Sequence, residues 1–161
     1  MEVRVNRLEF LKKLKTIEKA ITENKIKPII SCAYIEIVEN SLKFYGTNLE
    51  ITIVTSMEAE VRETGKIVFQ HQIVEEYLKE LDDEYFLLKS DGLVLTIETE
   101  DSATEFSVFD SDEFPKNHLT INIENEENSF YVESFELADI FEKTKFAASQ
   151  SSDDMRINCI R

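Results

Sequence analysis

The charged residues with the most suggestive spacing are Lys12, Lys15 and Lys19, at i, i+3 and i+7 within NRLEFLKKLKTIEKAIT. On a helix they form one stripe, because residues three and four apart share a face. A row of ammonium groups attracts a polyanion without imposing a register on it. The bland alternative is a solvated helix face. Charge distribution weighs against the bland reading. Residues 1–29 hold eight of the 18 basic residues (Arg4, Arg7, Lys12, Lys13, Lys15, Lys19, Lys25, Lys27) against four acidic ones (Glu2, Glu9, Glu18, Glu23). That segment is +4 in a chain of net −15, which leaves −19 for the rest. An acidic body with one basic face repels polyanions everywhere except at that face.

Residues suited to other chemistry are sparse. The two histidines, His71 and His118, have unrelated surroundings, and no Ser or Cys stands near a base at a meaningful spacing. Carboxylates are plentiful, but they alternate along strand faces or cluster in turns such as Asp82-Asp83 and Glu124 to Glu127, as solvated acid does. Three glycines allow no Gly-rich phosphate loop, and Cys and His do not cluster for a metal. Neither catalysis nor a cofactor is expected. Cys32 and Cys159, far apart in apolar or strand-like contexts, read as two buried reduced thiols in a cytoplasm. No run of 18 apolar residues exists and the charged N-terminus has no signal-peptide core, so no membrane partner is expected.

The stripe needs a helix to hold it, and Asn6 to Thr22 supplies one. Asn6 is a good N-cap with Glu9 three residues later, and Phe10, Leu11, Leu14, Ile17 and Ile21 form an apolar stripe opposite the lysines. A short strand, Glu2 to Val5, precedes it, and Pro28 closes the loop that follows. Strands are expected at Ser31–Val38 and Leu42–Tyr45. Then Leu49, Ile51, Ile53, Met57, Ala59 and Val61 alternate with polar residues, as in one long strand or two sharing a bend, with a single buried face.

After Gly65 the order begins again. Lys66–Phe69 reads as a strand, Gln72–Leu81 as a helix, and Tyr85–Ser90, Leu93–Thr99 and Thr104–Phe109 as strands, with Asp91-Gly92 a hairpin signal. A third start follows: strand Phe130–Val132, N-cap Ser134, helix Phe135–Ser149 with Leu137, Ile140, Phe141, Ala147 and Ala148 inward, and strand Arg156–Ile160. Starts near 3, 67 and 130 repeat every ~64 residues, the mark of a fold built by duplication. The expected class is α+β: two strand-helix-three-strand units, with helices on one side of antiparallel sheets, make a first domain over 1–118 (repeats 1–64 and 65–118). Residues 119–161 begin an incomplete second domain.

In this order and spacing the chain resembles the bacterial sliding clamp family, the beta subunit of DNA polymerase III. The resemblance rests on Pro28-Ile29-Ile30 after the first helix, Gly46-Thr47-Asn48-Leu49-Glu50, Gly65-Lys66-Ile67 and Phe114-Pro115. Phe146-Ala147-Ala148-Ser149 followed by Asp153-Asp154-Met155-Arg156 resembles the opening of that family's second domain. Asn48 stands where the family usually has Asp.

The resemblance implies a DNA-clamp (processivity) fold and a non-catalytic subunit without cofactor. It implies duplex DNA, bound without sequence specificity, as partner, and for the full-length form polymerase III subunits, the clamp loader and a homodimeric ring. It assigns Lys12, Lys15 and Lys19 to the phosphate backbone, and adds Lys25 and Lys27 in the loop after the first helix and Gln150 in the loop after the third. The alternative is an acidic protein-interaction module that pairs with or caps another protein's sheet edge.

Overall fold

The computed structural model describes residues 1–115, 130–149 and 159–160. Its contacts divide the chain into two units, Met1–Ile121 and Asn122–Arg161.

In the first unit, strand β1 (Glu2–Asn6) leads into helix α1 (Arg7–Glu18), followed by a 3-10 turn (Pro28–Ser31), β2 (Ala33–Val38), β3 (Ser41–Thr47), β4 (Thr52–Glu58) and β5 (Glu60–Glu63). Then come β6 (Lys66–Phe69), α2 (His71–Glu80), β7 (Tyr85–Asp91), β8 (Val94–Glu98) and β9 (Ala103–Ser107). Two antiparallel sheets result, ordered β5-β1-β7-β8-β9 and β4-β3-β2-β6. The repeats exchange their first strands: β1 lies against β7 of the second repeat, and β6 against β2 of the first. The segment after each repeat's last long strand follows suit, with β5 on β1 and Phe109 bridging Val68 of β6. Neither repeat can close its sheet alone.

Both helices and the inner faces of both sheets share one apolar core. Phe10 of α1 joins them, meeting Phe44 of β3 edge-on with ring centroids 5.0 Å apart and Phe86 of β7 at 5.3 Å. A smaller cluster on the outer face of the four-stranded sheet joins Ile29, Ile30, Tyr34, Tyr45, Val68 and Phe114. Phe114 stacks on Tyr34 at 5.1 Å.

Helix α1 begins as its sequence indicates, with the Asn6 side chain accepting from the Glu9 N–H at 3.1 Å. It ends four residues before Thr22. The N–H groups of Ala20 and Ile21 turn to the carbonyls of Ile17 and Glu18, a tightened last turn. Ile21 remains half-buried on the core, which is why the apolar period outlasts the helix.

The β3 backbone passes directly beneath that end. A Cβ on Gly46 would lie 2.5 Å from the Ile17 carbonyl oxygen and 3.0 Å from Ile17 Cβ. Gly46→Ala is therefore expected to destabilise the fold by ~1–3 kcal/mol, because backbone must move to admit the methyl. Urea unfolding of the two proteins checks this, and an unchanged midpoint would refute the close approach.

Three expectations need correction. Leu49 and Ile51, assigned to a buried strand face, are exposed. The Asn48 side chain accepts from the Glu50 and Ile51 N–H groups (3.0 and 2.8 Å) and Thr47 Oγ1 from the Leu49 N–H (3.0 Å), so the chain coils before β4 and alternation starts only at Thr52. An Asp at position 48 would accept the same two bonds. The remaining alternation is two strands, which change sheets at Ala59.

The second correction concerns the thiols. Cys32 is buried, but Cys159 is exposed. Burial pushes the Cys32 thiol up to about 12, so it stays protonated and unreactive at pH 8. Iodoacetamide at that pH should modify Cys159 alone in the native protein and both cysteines in urea, read by intact mass. Native double labelling would contradict this burial.

The third lies in the second unit. Phe130–Val132 forms no strand, and helix α3 spans Ser134–Thr144 with Glu133, not Ser134, at the N-cap, followed by a 3-10 turn at Lys145–Ala147. No residue of α3 is buried: of the expected inner face, Ile140 and Phe141 are exposed and Leu137 is half-buried. Its charges pair along its own surface, Lys143 with Asp139 at 2.7 Å and Lys145 with Glu142 at 2.6 Å. The expected strand Arg156–Ile160 lies mostly outside the described residues, as do Gln150 and His118.

Candidate nucleic-acid interface

Helix α1 carries the core on one side and lysines on the other. Phe10, Leu14 and Ile17 are fully buried, while Lys12, Lys15 and Lys19 are exposed. Lys12 and Lys15 lie within the helix and Lys19 is its C-cap residue, still in helical conformation, so the three keep a common face. Lys15 and Lys19 also sit at the negative end of the helix dipole, which stabilises them locally.

Beyond the helix, Lys25 and Lys27 are both exposed in a loop with internal bracing. Asn24 Oδ1 accepts from the N–H groups of Ile26 (3.0 Å) and Lys27 (2.8 Å). The Asn24 N–H donates to Ser31 Oγ at 2.7 Å, and that hydroxyl donates to the Thr22 carbonyl at 3.0 Å.

These cations are available. Among the described residues, Lys12, Lys13, Lys15, Lys19, Lys25 and Lys27 take part in no ion pair. Elsewhere among the described residues, Lys43 excepted, basic side chains are engaged. Arg62 meets Glu2, holding that carboxyl below its usual range, Arg4 meets Glu60 and lies over the Tyr85 ring, and Lys66, Lys79 and Lys89 pair with Asp112, Glu75 and Glu98.

The second repeat shows what the stripe is not. A shift of 64 residues sets Phe10 on Val74 and Leu14 on Leu78, and it sets Lys12 on Glu76 and Lys15 on Lys79. The exposed side of α2 thus bears Glu76 and Glu80, with its lysine already tied to Glu75 at 2.7 Å. The buried halves of the two helices match, and their wet faces oppose each other in sign.

Arg7 and His71, paired by the same shift, are residues whose roles sequence reasoning missed. Arg7 is partly buried and donates to the carbonyls of Asp83 (2.7 Å) and Leu78 (3.1 Å), closing the end of α2. His71 answers from the start of α2, with Nδ1 3.4 Å from the Ser31 carbonyl oxygen and Nε2 3.9 Å from Glu18 at the end of α1. Their equivalent positions in the repeat are the signal that could have found them. Among the described residues no His, Cys, Asp and Glu group could hold a metal ion, and no helix is long and apolar enough to cross a membrane.

Two repeats that exchange strands, with paired helices against two antiparallel sheets, define a clamp-type domain, and comparison with known structures agrees. The chain matches Caulobacter crescentus pol III beta with a TM-score of 0.85 at 23% identity, covering 98% of this chain and 42% of that one. It matches the beta subunit from DNA polymerase of Streptococcus pyogenes with a TM-score of 0.83 at 22% identity, covering 95% and 41%. Residues 1–120 match the family described as DNA polymerase III beta subunit, N-terminal domain, and the chain belongs to that family. The Beta sliding clamp of Mycoplasma pneumoniae is 25% identical over 130 residues, 79% of this chain and 34% of the relative. The chain thus spans about a third of the length of that curated relative.

Proposed function

We propose that this chain is the N-terminal part of a DNA sliding clamp, a non-catalytic processivity factor that encircles duplex DNA and tethers the replicative polymerase. The observation that carries the reading is the exposed, unpaired lysine stripe of α1, in a family named for a polymerase subunit. Lys12, Lys15 and Lys19 neutralise phosphates through flexible point charges, with Lys25, Lys27 and Gln150 as further contacts. Such contacts are exchanged at little cost, as sliding requires, and they carry no sequence information. The acidic remainder keeps DNA off every other face.

In this reading residues 1–118 are the first clamp domain, in repeats of about 1–64 and 65–118, and 119–161 begin the second. The full-length form closes as a homodimeric ring in the cytoplasm and meets polymerase III subunits and the clamp loader. The family match and the fold lend no support to the sheet-capping alternative.

Fluorescence anisotropy with labelled duplexes of two unrelated sequences tests the proposal. Binding should be weak, equal for both, and fall linearly in log–log form with salt. Sequence discrimination, or affinity indifferent to salt, would overturn it.

A further inference from the structure

The ring of His71 faces both ends of the segment that carries Lys19, Lys25 and Lys27. Its Nδ1 lies 3.4 Å from the Ser31 carbonyl oxygen, where the loop ends, and its Nε2 lies 3.9 Å from Glu18, the last residue of α1. The side chain is 9% exposed, so both contacts are largely shielded from water. Ser31 passes this hold onward. Its hydroxyl accepts from the Asn24 N–H at 2.7 Å and donates to the Thr22 carbonyl at 3.0 Å, while Asn24 Oδ1 accepts from the N–H groups of Ile26 and Lys27. A polar chain therefore runs from the start of α2, in the second repeat, to the backbone that presents two lysines of the first.

The ordinary role of a buried histidine is to satisfy its own nitrogens and nothing further. Packing at this joint argues for more. A cavity of about 250 Å³ opens beside it, lined by Ile21, Glu23, Ser31 and His71 among others. Side-chain contacts thus leave Ser31 room to shift, and directional bonds must fix it instead. The equivalent joint of the repeat shows the contrast. Arg7 ties the end of α2 through its carbonyls, but α2 runs through Asp82-Asp83 into β7 and presents no cations there. The His71 joint carries a basic loop.

We propose that His71 is a positioning residue for that loop: its bond to Ser31 keeps Lys25 and Lys27 preorganised, so that phosphate binding does not bear the entropy of ordering them. The proposal rests on the DNA reading above, and it makes a residue of the second repeat responsible for the geometry of cations in the first.

The test uses the whole chain and its His71→Phe, His71→Asn, Ser31→Ala and Lys25→Ala/Lys27→Ala variants. Phe fills the same space without a donor, and Asn restores a donor at the place of Nδ1. Amide exchange read by NMR should be about fivefold faster at Ile26 and Lys27 in His71→Phe and in Ser31→Ala, and unchanged in His71→Asn. Leu88, fully buried in β7, is the undisturbed reference. Duplex affinity should fall about fivefold in His71→Phe, hold in His71→Asn, and show no further loss when His71→Phe is added to Lys25→Ala/Lys27→Ala. A residue that merely stabilised the fold would lower the melting temperature without that coupling. Unchanged exchange at Ile26 and Lys27 in His71→Phe, failure of His71→Asn to restore it, or additive losses of affinity overturns the proposal. Should His71→Phe not fold, Ser31→Ala decides, because it cuts the same polar chain outside α2. Unchanged exchange at Ile26 and Lys27 in that variant overturns the proposal equally. Failure of the DNA reading has a separate signature: duplex affinity unaffected by Lys12→Glu/Lys15→Glu/Lys19→Glu, with the exchange results intact.

Discussion

Ile17→Asp is expected to leave the Met1–Ile121 unit unfolded at room temperature. Ile17 has no solvent exposure, and its backbone oxygen presses on β3 at Gly46, where even a methyl has no space. A carboxylate there loses its hydration without gaining a partner, and its protonated form still buries an unsatisfied acid. The desolvation cost of several kcal/mol, added to the lost apolar burial, consumes most of the ~5–15 kcal/mol that holds a typical domain together. Far-UV circular dichroism with a thermal melt reads the result. A cooperative transition within a few degrees of the unaltered protein would show that α1 does not bury this face. Ile17→Ala separates charge from cavity, since it should cost ~2–5 kcal/mol and lower the melting temperature by about 10 °C or more while leaving a folded protein.

Reversing the stripe should abolish DNA binding and leave stability alone. Lys12→Glu/Lys15→Glu/Lys19→Glu changes the local charge by six units on an exposed face whose members are in no ion pair among the described residues. If each lysine neutralises one phosphate, the unaltered stripe contributes about 2.7 to the log–log salt slope, or roughly 40-fold in affinity between 50 and 200 mM salt. The variant should lose that slope and, at low salt, nearly all measurable duplex affinity. Its melting temperature should stay within a few degrees, with a small decrease from placing acids at the negative end of the helix dipole. Retained binding with an unchanged slope would assign the stripe to solvent. Reversing Glu76 and Glu80 of α2 to lysine should instead increase duplex affinity, because the same scaffold would then offer a second basic face.

What the chain determined locally can be recognised residue by residue. Asn6 starts α1, the 3.6-residue period of Phe10, Leu14 and Ile17 selects its buried side, and Lys66–Phe69 reads as the strand it forms. These signals depend on neighbours within a turn or a pleat, so a linear reading contains them. The ~64-residue repeat was equally legible, because duplication preserves the apolar positions of both helices. The lysine stripe was visible as a charge pattern, with its exposure following from the apolar face opposite.

Other features arose only from tertiary structure. Nothing near Val3 or Val68 announces that each repeat's first strand joins the other repeat's sheet, since strand partnership is set by which inner faces close one core. The end of α1 at Glu18 was hidden because Ile21 continues the apolar period after the backbone has left the helix. Leu49 and Ile51 look like strand residues, yet side-chain bonds from Thr47 and Asn48 coil the chain around them. Arg7 could be read as surface charge until the end of α2 came beside it with carbonyls to satisfy. Ile26 could be read as one more apolar residue until Asn24 and Ser31 held it out in solvent. Local sequence sets propensity and polarity, but the partner that satisfies each backbone group or covers each apolar face comes from distant residues, and only the folded chain supplies it.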